Sequence, residues 1–256
     1  MGRTAVSQAP SKRRLSVWLI SALLKIVGVF VMTSLLLVWV CRWISLPCSS
    51  VMAQHWIKSM WAGERVELYY RWRSFENISP HVALAVIAAE DQRFPDHHGF
   101  DLIEIRKVLR SLWAGKSPRG ASTISQQVAK NLFLWQNRDL VRKGLEVWFT
   151  VLLEFLWPKE RILEVYLNIA EFGQNIFGTE AASQRFFGKS ADSLSVSEAT
   201  RLAAVLPNPR LYHVDKPSKH VLARQRWIKR QMQQLGGVDY LDKLQSEQPV
   251  WNQNLD

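Results

Sequence analysis

Two acidic residues, Glu90 and Asp91, close an apolar stretch and open a turn that carries groups able to hold or move protons, Phe94-Pro95-Asp96-His97-His98-Gly99-Phe100-Asp101. Upstream, Ser79-Pro80 reads as a helix start, with Ser79 at the N-cap and Pro80 in the first helical position. Val82, Val86 and Ala89 recur at helical spacing and give that helix an apolar face. Glu90 therefore falls at the helix C-terminus, where the helix dipole is negative and a carboxylate is disfavoured. Such a place can raise a carboxyl group toward a working base. The bland alternative is a solvated helix-end glutamate beside a polar turn.

A second group of chemistry-bearing residues begins after the basic loop Lys116 to Ala121. Ser122 reads as an N-cap, and Ile124, Val128 and Leu132 form the buried stripe of the next helix. Thr123, Gln127 and Lys130 share another face, where hydroxyl, amide and ammonium suit sugar and phosphate oxygens. Arg138, Arg142 and Lys143 follow, with Glu146 one turn beyond Arg142, a spacing that ordinarily makes a surface ion pair. Val147 to Trp157 is almost wholly apolar but too short to cross a bilayer, so it is predicted to be the central buried helix.

These groups need elements to hold them, and the 256 residues suffice for one substantial domain plus an anchor. The basic cluster Arg3, Lys12, Arg13 and Arg14 precedes a run from Leu15 to Cys41 broken by the single cation Lys25. That run is long enough to cover a hydrocarbon core of roughly 30 Å, and the cations on its N-terminal side predict a cytoplasmic N-terminus. The expected organisation is a basic N-terminus over 1–14, a transmembrane anchor over 15–46, an amphipathic membrane-proximal segment over 47–78, a catalytic domain over 79–237 and a tail over 238–256. Val51, Met52, Trp56, Ile57, Met60 and Trp61 fall on one helical face, suited equally to a core or to a bilayer surface. Ser195 and Glu198 form a capping box, and Lys219 to Leu235 reads as a basic amphipathic helix with a solvated face, closed by Gly236-Gly237. No strand alternation stands out after residue 80, so the domain is expected to be mainly α. The formal charge of +11 points to anionic partners: nucleic acid, acidic lipid or a diphosphate substrate. Cys41 and Cys48 are too few for a metal cluster or a disulfide framework.

Five blocks in order carry a resemblance across about residues 80 to 212: Glu90-Asp91-x-x-Phe94-x-x-His97-x-Gly99-x-Asp101; Gly120 to Gln127 with Lys130-Asn131; Arg142-Lys143-x-x-Glu146; Lys159-x-x-Ile162-Leu163-Glu164-x-Tyr166-Leu167-Asn168; and Glu198 to Pro209. Together they resemble the peptidoglycan glycosyltransferases, most of all the monofunctional membrane-anchored biosynthetic transglycosylases. Ala121 and Ser125 depart from the family, standing where many relatives have Gly and Thr. No Ser-x-x-Lys or Lys-Thr-Gly occurs, so penicillin-reactive chemistry is not expected.

The resemblance implies a lysozyme-like helical domain that polymerises lipid II into a β-1,4-linked glycan by inverting transfer, releasing a polyprenyl diphosphate. It implies Glu90 as general base and Glu146 as a second carboxylate. Lys130, Arg138, Arg142 and Lys143 would hold the diphosphate, and Asp91, Phe94, His97, Ser122, Thr123, Gln127 and Asn131 would shape the sugar sites, with His97 in a structural part. The implied partners are lipid II, the growing strand, the membrane and cell-wall synthesis or division proteins, with no nucleic acid. The implied location is the bacterial inner membrane with a periplasmic catalytic domain. No cofactor is required; a divalent cation at the diphosphate is left open, although Asp96, His97 and His98 make a poor ligand set. The rivals are a lytic transglycosylase or lysozyme-like hydrolase, and a non-catalytic scaffold for wall assembly.

Overall fold

The computed structural model describes residues 12–63, 67–115, 122–137 and 139–246. The chain begins with α1 (Lys12–Cys41), whose stretch Val17–Cys41 has a mean hydropathy of 2.4 and is long and apolar enough to cross a membrane. α1 does not hang free of the rest. Trp148 donates its indole N–H to Ser34 Oγ at 3.1 Å, Trp157 donates to the Val38 carbonyl at 2.8 Å, and Arg42 donates to the Leu156 carbonyl at 2.6 Å.

α2 (Ser50–Trp61) is capped by Ser49, and its first turns are pinned to the body. Ser50 Oγ donates to the Leu134 carbonyl at 2.5 Å and Gln54 Nε2 to the same oxygen at 3.0 Å. Met52 is buried, whereas Trp56, Ile57, Met60 and Trp61 stay exposed. One end of the segment thus packs inward, and the other presents apolar surface to the surroundings.

A strand, β1 (Tyr69–Tyr70), follows, and then α3 (Pro80–Glu90). Every residue from Val82 to Ala88 is buried. α3 is therefore the central helix, and it packs against two later helices, α9 (Val196–Val205) and α10 (Lys219–Gln234). Ser79 is the N-cap residue and Pro80 sits in the first turn, as predicted, although Ser79 Oγ donates to the Leu194 carbonyl at 2.8 Å and makes no cap bond to the helix.

After α4 (Leu102–Trp113) comes α5 (Ile124–Phe133), whose cap is Thr123 and not the expected Ser122; Thr123 and Gln126 form the capping box. α6 (Leu140–Leu156) corrects the central-helix expectation. Leu152 and Leu153 face the core, but Val147, Val151 and Phe155 are about half exposed, and α1 lies along the same helix. An almost wholly apolar run has no polar face to mark its exposed side, so the pattern alone does not separate a core helix from one packed on a single side.

α7 (Lys159–Ile169), β2 (Glu171–Gly173), β3 (Ile176–Phe177) and α8 (Thr179–Phe187) complete the middle of the chain. The three strands form a small sheet in the order β1-β3-β2, with β1 parallel and β2 antiparallel to β3. Strands of two or three residues are too short to show alternation, so the sequence pattern does not reveal them. β1 also ties the supposed membrane-proximal segment into the domain. Asn168 reinforces that tie by accepting from the Arg73 amide at 2.8 Å and donating to its carbonyl at 2.7 Å. α9 (Val196–Val205) carries the predicted capping box, α10 (Lys219–Gln234) ends before left-handed Gly236 and Gly237, and α11 (Lys243–Ser246) ends the described chain. The domain is mainly α, as its sequence predicts.

Candidate active site

α3 ends at Glu90, and the turn after it is held rigidly. Both Asp91 oxygens contact His97 Nε2, at 3.0 and 3.1 Å, and Oδ2 also accepts from the Ile124 amide at 3.0 Å. Asp101 caps α4 through the Ile103 and Glu104 amides and pairs with Arg93 at 3.1 Å. Gly99, at φ 84°, lets this turn cross α6; an added Cβ would lie 2.7 Å from Thr150 Cγ2. Thr123 Oγ1 donates to the Gly99 carbonyl at 2.7 Å, locking the first motif to the second.

Beneath the turn lies a buried polar knot. Lys159 pairs with Glu154 at 2.9 Å, donates to the His97 carbonyl, and sits 4.7 Å from the centroid of the Phe94 ring. Phe94 and His97 are buried here and do not line either cavity, an arrangement compatible with the structural part expected of His97.

Two adjoining cavities flank this frame. The larger, of about 580 Å³, is walled by Gln127, Lys130 and Asn131 from α5, by Arg142, Lys143 and Glu146 from α6, and by Tyr166 from α7. The smaller, of about 390 Å³, holds Glu90, Asp91, Thr123 and Trp227. Ser122 lines both. Gln127 spans the divide, reaching from the wall of the larger cavity to donate to Glu90 Oε2 at 3.2 Å.

The two carboxylates are held differently. Glu146 accepts from Arg142 at 2.8 Å and from Lys143 at 2.5 Å, both one turn back on its own helix. Arg142 and Glu146 are buried, so this is no surface pair. Asp139 caps that helix by accepting from the Arg142 amide at 2.7 Å. Its carboxyl is held below the ordinary value by that amide and by the Trp135 indole. Glu90 Oε1, by contrast, pairs at 3.0 Å with Arg224 of α10.

Arg224 is the residue the sequence reading passed over. On α10 it falls among Val221, Ile228 and Met232, the buried stripe of the helix. A cation at an apolar-stripe position was the available signal, because a buried charge needs a partner. Arg138 lies outside the described residues.

Asp91, His97 and Asp101 bring ligand atoms within 4.8 Å of one another, a different set from Asp96, His97 and His98. His97, the Ile124 amide, Arg93 and the cap of α4 already occupy those atoms, so the trio does not fit a resident cation. Asp96 and His98 are exposed and take no part in it.

Comparison with known proteins agrees with this geometry. Residues 58–233 match the family model described as transglycosylase. The chain is 56% identical over 215 residues to the biosynthetic peptidoglycan transglycosylase of Chromohalobacter salexigens, covering 84% of this chain and 92% of that one. It is 51% identical to the protein of that name from Stutzerimonas stutzeri, over 85% of this chain and 90% of the relative. With the one from Xanthomonas oryzae pv. oryzae the identity is 49%, over 91% and 94%. A helical domain with two motif-bearing cavities, matched in this way over most of its length, belongs to the transglycosylase family.

Proposed function

We propose that this protein is a peptidoglycan glycosyltransferase that polymerises lipid II. The observation that carries the reading is the pair of cavities meeting at Ser122, one with Glu90 and the other with Lys130, Arg142, Lys143 and Glu146. Three cations, Lys130, Arg142 and Lys143, against two carboxylates, Glu146 and Glu171, leave a net positive charge in the larger cavity, suited to a diphosphate. A hydrolase or lytic enzyme has no diphosphate to hold and no use for that excess.

In the proposed reaction the Glu90 carboxylate takes the proton of the acceptor sugar's 4-hydroxyl. The freed oxygen pair attacks the anomeric carbon of the growing strand. The bond from that carbon to the diphosphate breaks, and its electron pair leaves with the polyprenyl diphosphate. Lys130, Arg142 and Lys143 take up the negative charge that develops there, and Arg138 belongs with them by sequence. Glu146 sets how far Arg142 and Lys143 can turn, so it orients the cations. One displacement inverts an α-linked donor to a β-1,4 link. Ser122, Gln127 and Asn131 would contact sugar hydroxyls at the cavity walls.

A polyprenyl substrate stays in the bilayer, so the cavity must open near lipid. Three features support that placement. α1 lies along α6, the helix that carries Arg142 to Glu146. α4 has no buried residue and exposes Leu102, Ile103, Leu109, Leu112 and Trp113 beside Arg106, Lys107 and Arg110. α2 exposes Trp56 and Trp61. Apolar residues and tryptophans interleaved with cations suit an interface with anionic lipid. With the basic N-terminus, this favours a single pass in the inner membrane, the N-terminus cytoplasmic and the catalytic domain periplasmic.

Purified full-length protein in detergent, given labelled lipid II, should form long material that lysozyme degrades. Shortening of preformed glycan without any polymer from lipid II would favour the hydrolase reading.

A further inference from the structure

We propose that Arg224 is the positioning residue that keeps Glu90 deprotonated and aimed; this rests on Glu90 being the base. Its guanidinium donates to Glu90 Oε1 at 3.0 Å and approaches the Ala89 carbonyl at 3.4 Å. The arginine side chain is 6% exposed and the glutamate 16%, so water screens the pair weakly. The other carboxylate oxygen accepts from Gln127 Nε2 at 3.2 Å.

That amide is itself fixed. Tyr166 donates its phenol to Gln127 Oε1 at 3.2 Å. Burial, with the Glu90 carboxylate adding to it, pushes the phenol well above its ordinary value, so it remains a donor. A donor on Oε1 of the amide turns the NH2 toward Glu90. Each oxygen of Glu90 thus has a donor from a different helix, which fixes the plane of the carboxylate.

A helix C-terminus disfavours the carboxylate, but a guanidinium at contact distance favours it, and at this range the ion pair is the larger effect. The other charged groups on the smaller cavity are of both signs: Asp91, Asp101 and Glu104 against Arg93 and Lys107. These pair with neighbours of their own, Arg93 with Asp101, Lys107 with Glu104 and Asp91 with His97. Arg224 gives up some proton affinity in the base and gains a base that stands empty and oriented at neutral pH.

The test compares full-length Arg224→Met, Arg224→Gln, Arg224→Lys and Glu90→Gln in detergent, with polymerisation rates followed from acid to mildly alkaline pH and folding checked by circular dichroism. In R224M the acid limb of kcat/KM should move up by about one to three pH units, with kcat down about 100-fold. R224Q keeps a donor without the charge; it should move the limb likewise and lose less kcat. R224K keeps the charge without the planar fork; its limb should stay in place while kcat falls. An unmoved limb in a folded R224M or R224Q overturns the proposal. Should neither neutral variant fold, R224K decides, and wild-type kcat in it overturns the proposal. Polymerisation by E90Q would instead remove the reading of Glu90 as base, a result separable from any outcome at Arg224.

Discussion

Glu90 and Glu146 are two buried or half-buried carboxylates on neighbouring cavities, each paired with an arginine, yet they are built in opposite ways. Glu146 takes its partners from three and four residues back on one helix. Glu90 takes Gln127 from 37 residues away and Arg224 from 134 residues away. The first arrangement can form as soon as α6 forms. The second exists only when α3, α5 and α10 are all in place. The group proposed to move a proton is thus fixed by the tertiary fold, and the group proposed to manage charge is fixed by a single helix turn.

If that difference matters, altering each carboxylate should have unequal consequences. Glu90→Asp withdraws the carboxylate from both of its distant donors, and polymerisation should fall about 100-fold to 1,000-fold. Glu146→Gln should cost less, on the order of 10-fold in rate, because Arg142 and Lys143 remain on the cavity wall to meet a diphosphate. Equal losses in the two variants, measured as initial rates with lipid II, would erase the distinction.

The frame around Glu90 gives a smaller effect, on stability. Gly99→Ala forces a Cβ against Thr150 at a positive φ, and it should cost about 2–3 kcal/mol by denaturant unfolding. The smallest effect concerns another locally held carboxylate. Burial raises the Glu198 carboxyl, but Lys189 and Ser195 outweigh it and hold the group at about 2 against an ordinary 4.5. A depressed folded value means that its stabilisation is present above about 4.5 and is lost as pH falls toward about 2. Glu198→Gln should therefore flatten the acid side of a plot of Tm against pH by roughly 2 °C.

The same divide between local and distant partners explains what the sequence revealed. The capping box at Ser195, the Arg142–Glu146 pair, the two glycines after α10 and the long apolar N-terminal helix are each written in a single continuous stretch, and all are found in the structure. Ser122 was the wrong cap because Thr123, one residue later, has the same chemistry and also reaches the Gly99 carbonyl. α6 differs from its expectation because exposed and core-facing leucines and valines look alike in sequence. α3 shows the reverse: a short run buried on all sides has no face for a period to report. Arg224 was visible only as an oddity, a cation on the apolar stripe of a helix otherwise read as solvated.

The most direct test of the account is Glu90→Gln in the full-length protein with labelled lipid II. The account predicts that it folds and binds lipid II but forms no glycan strand. Strands made at the wild-type rate would contradict it.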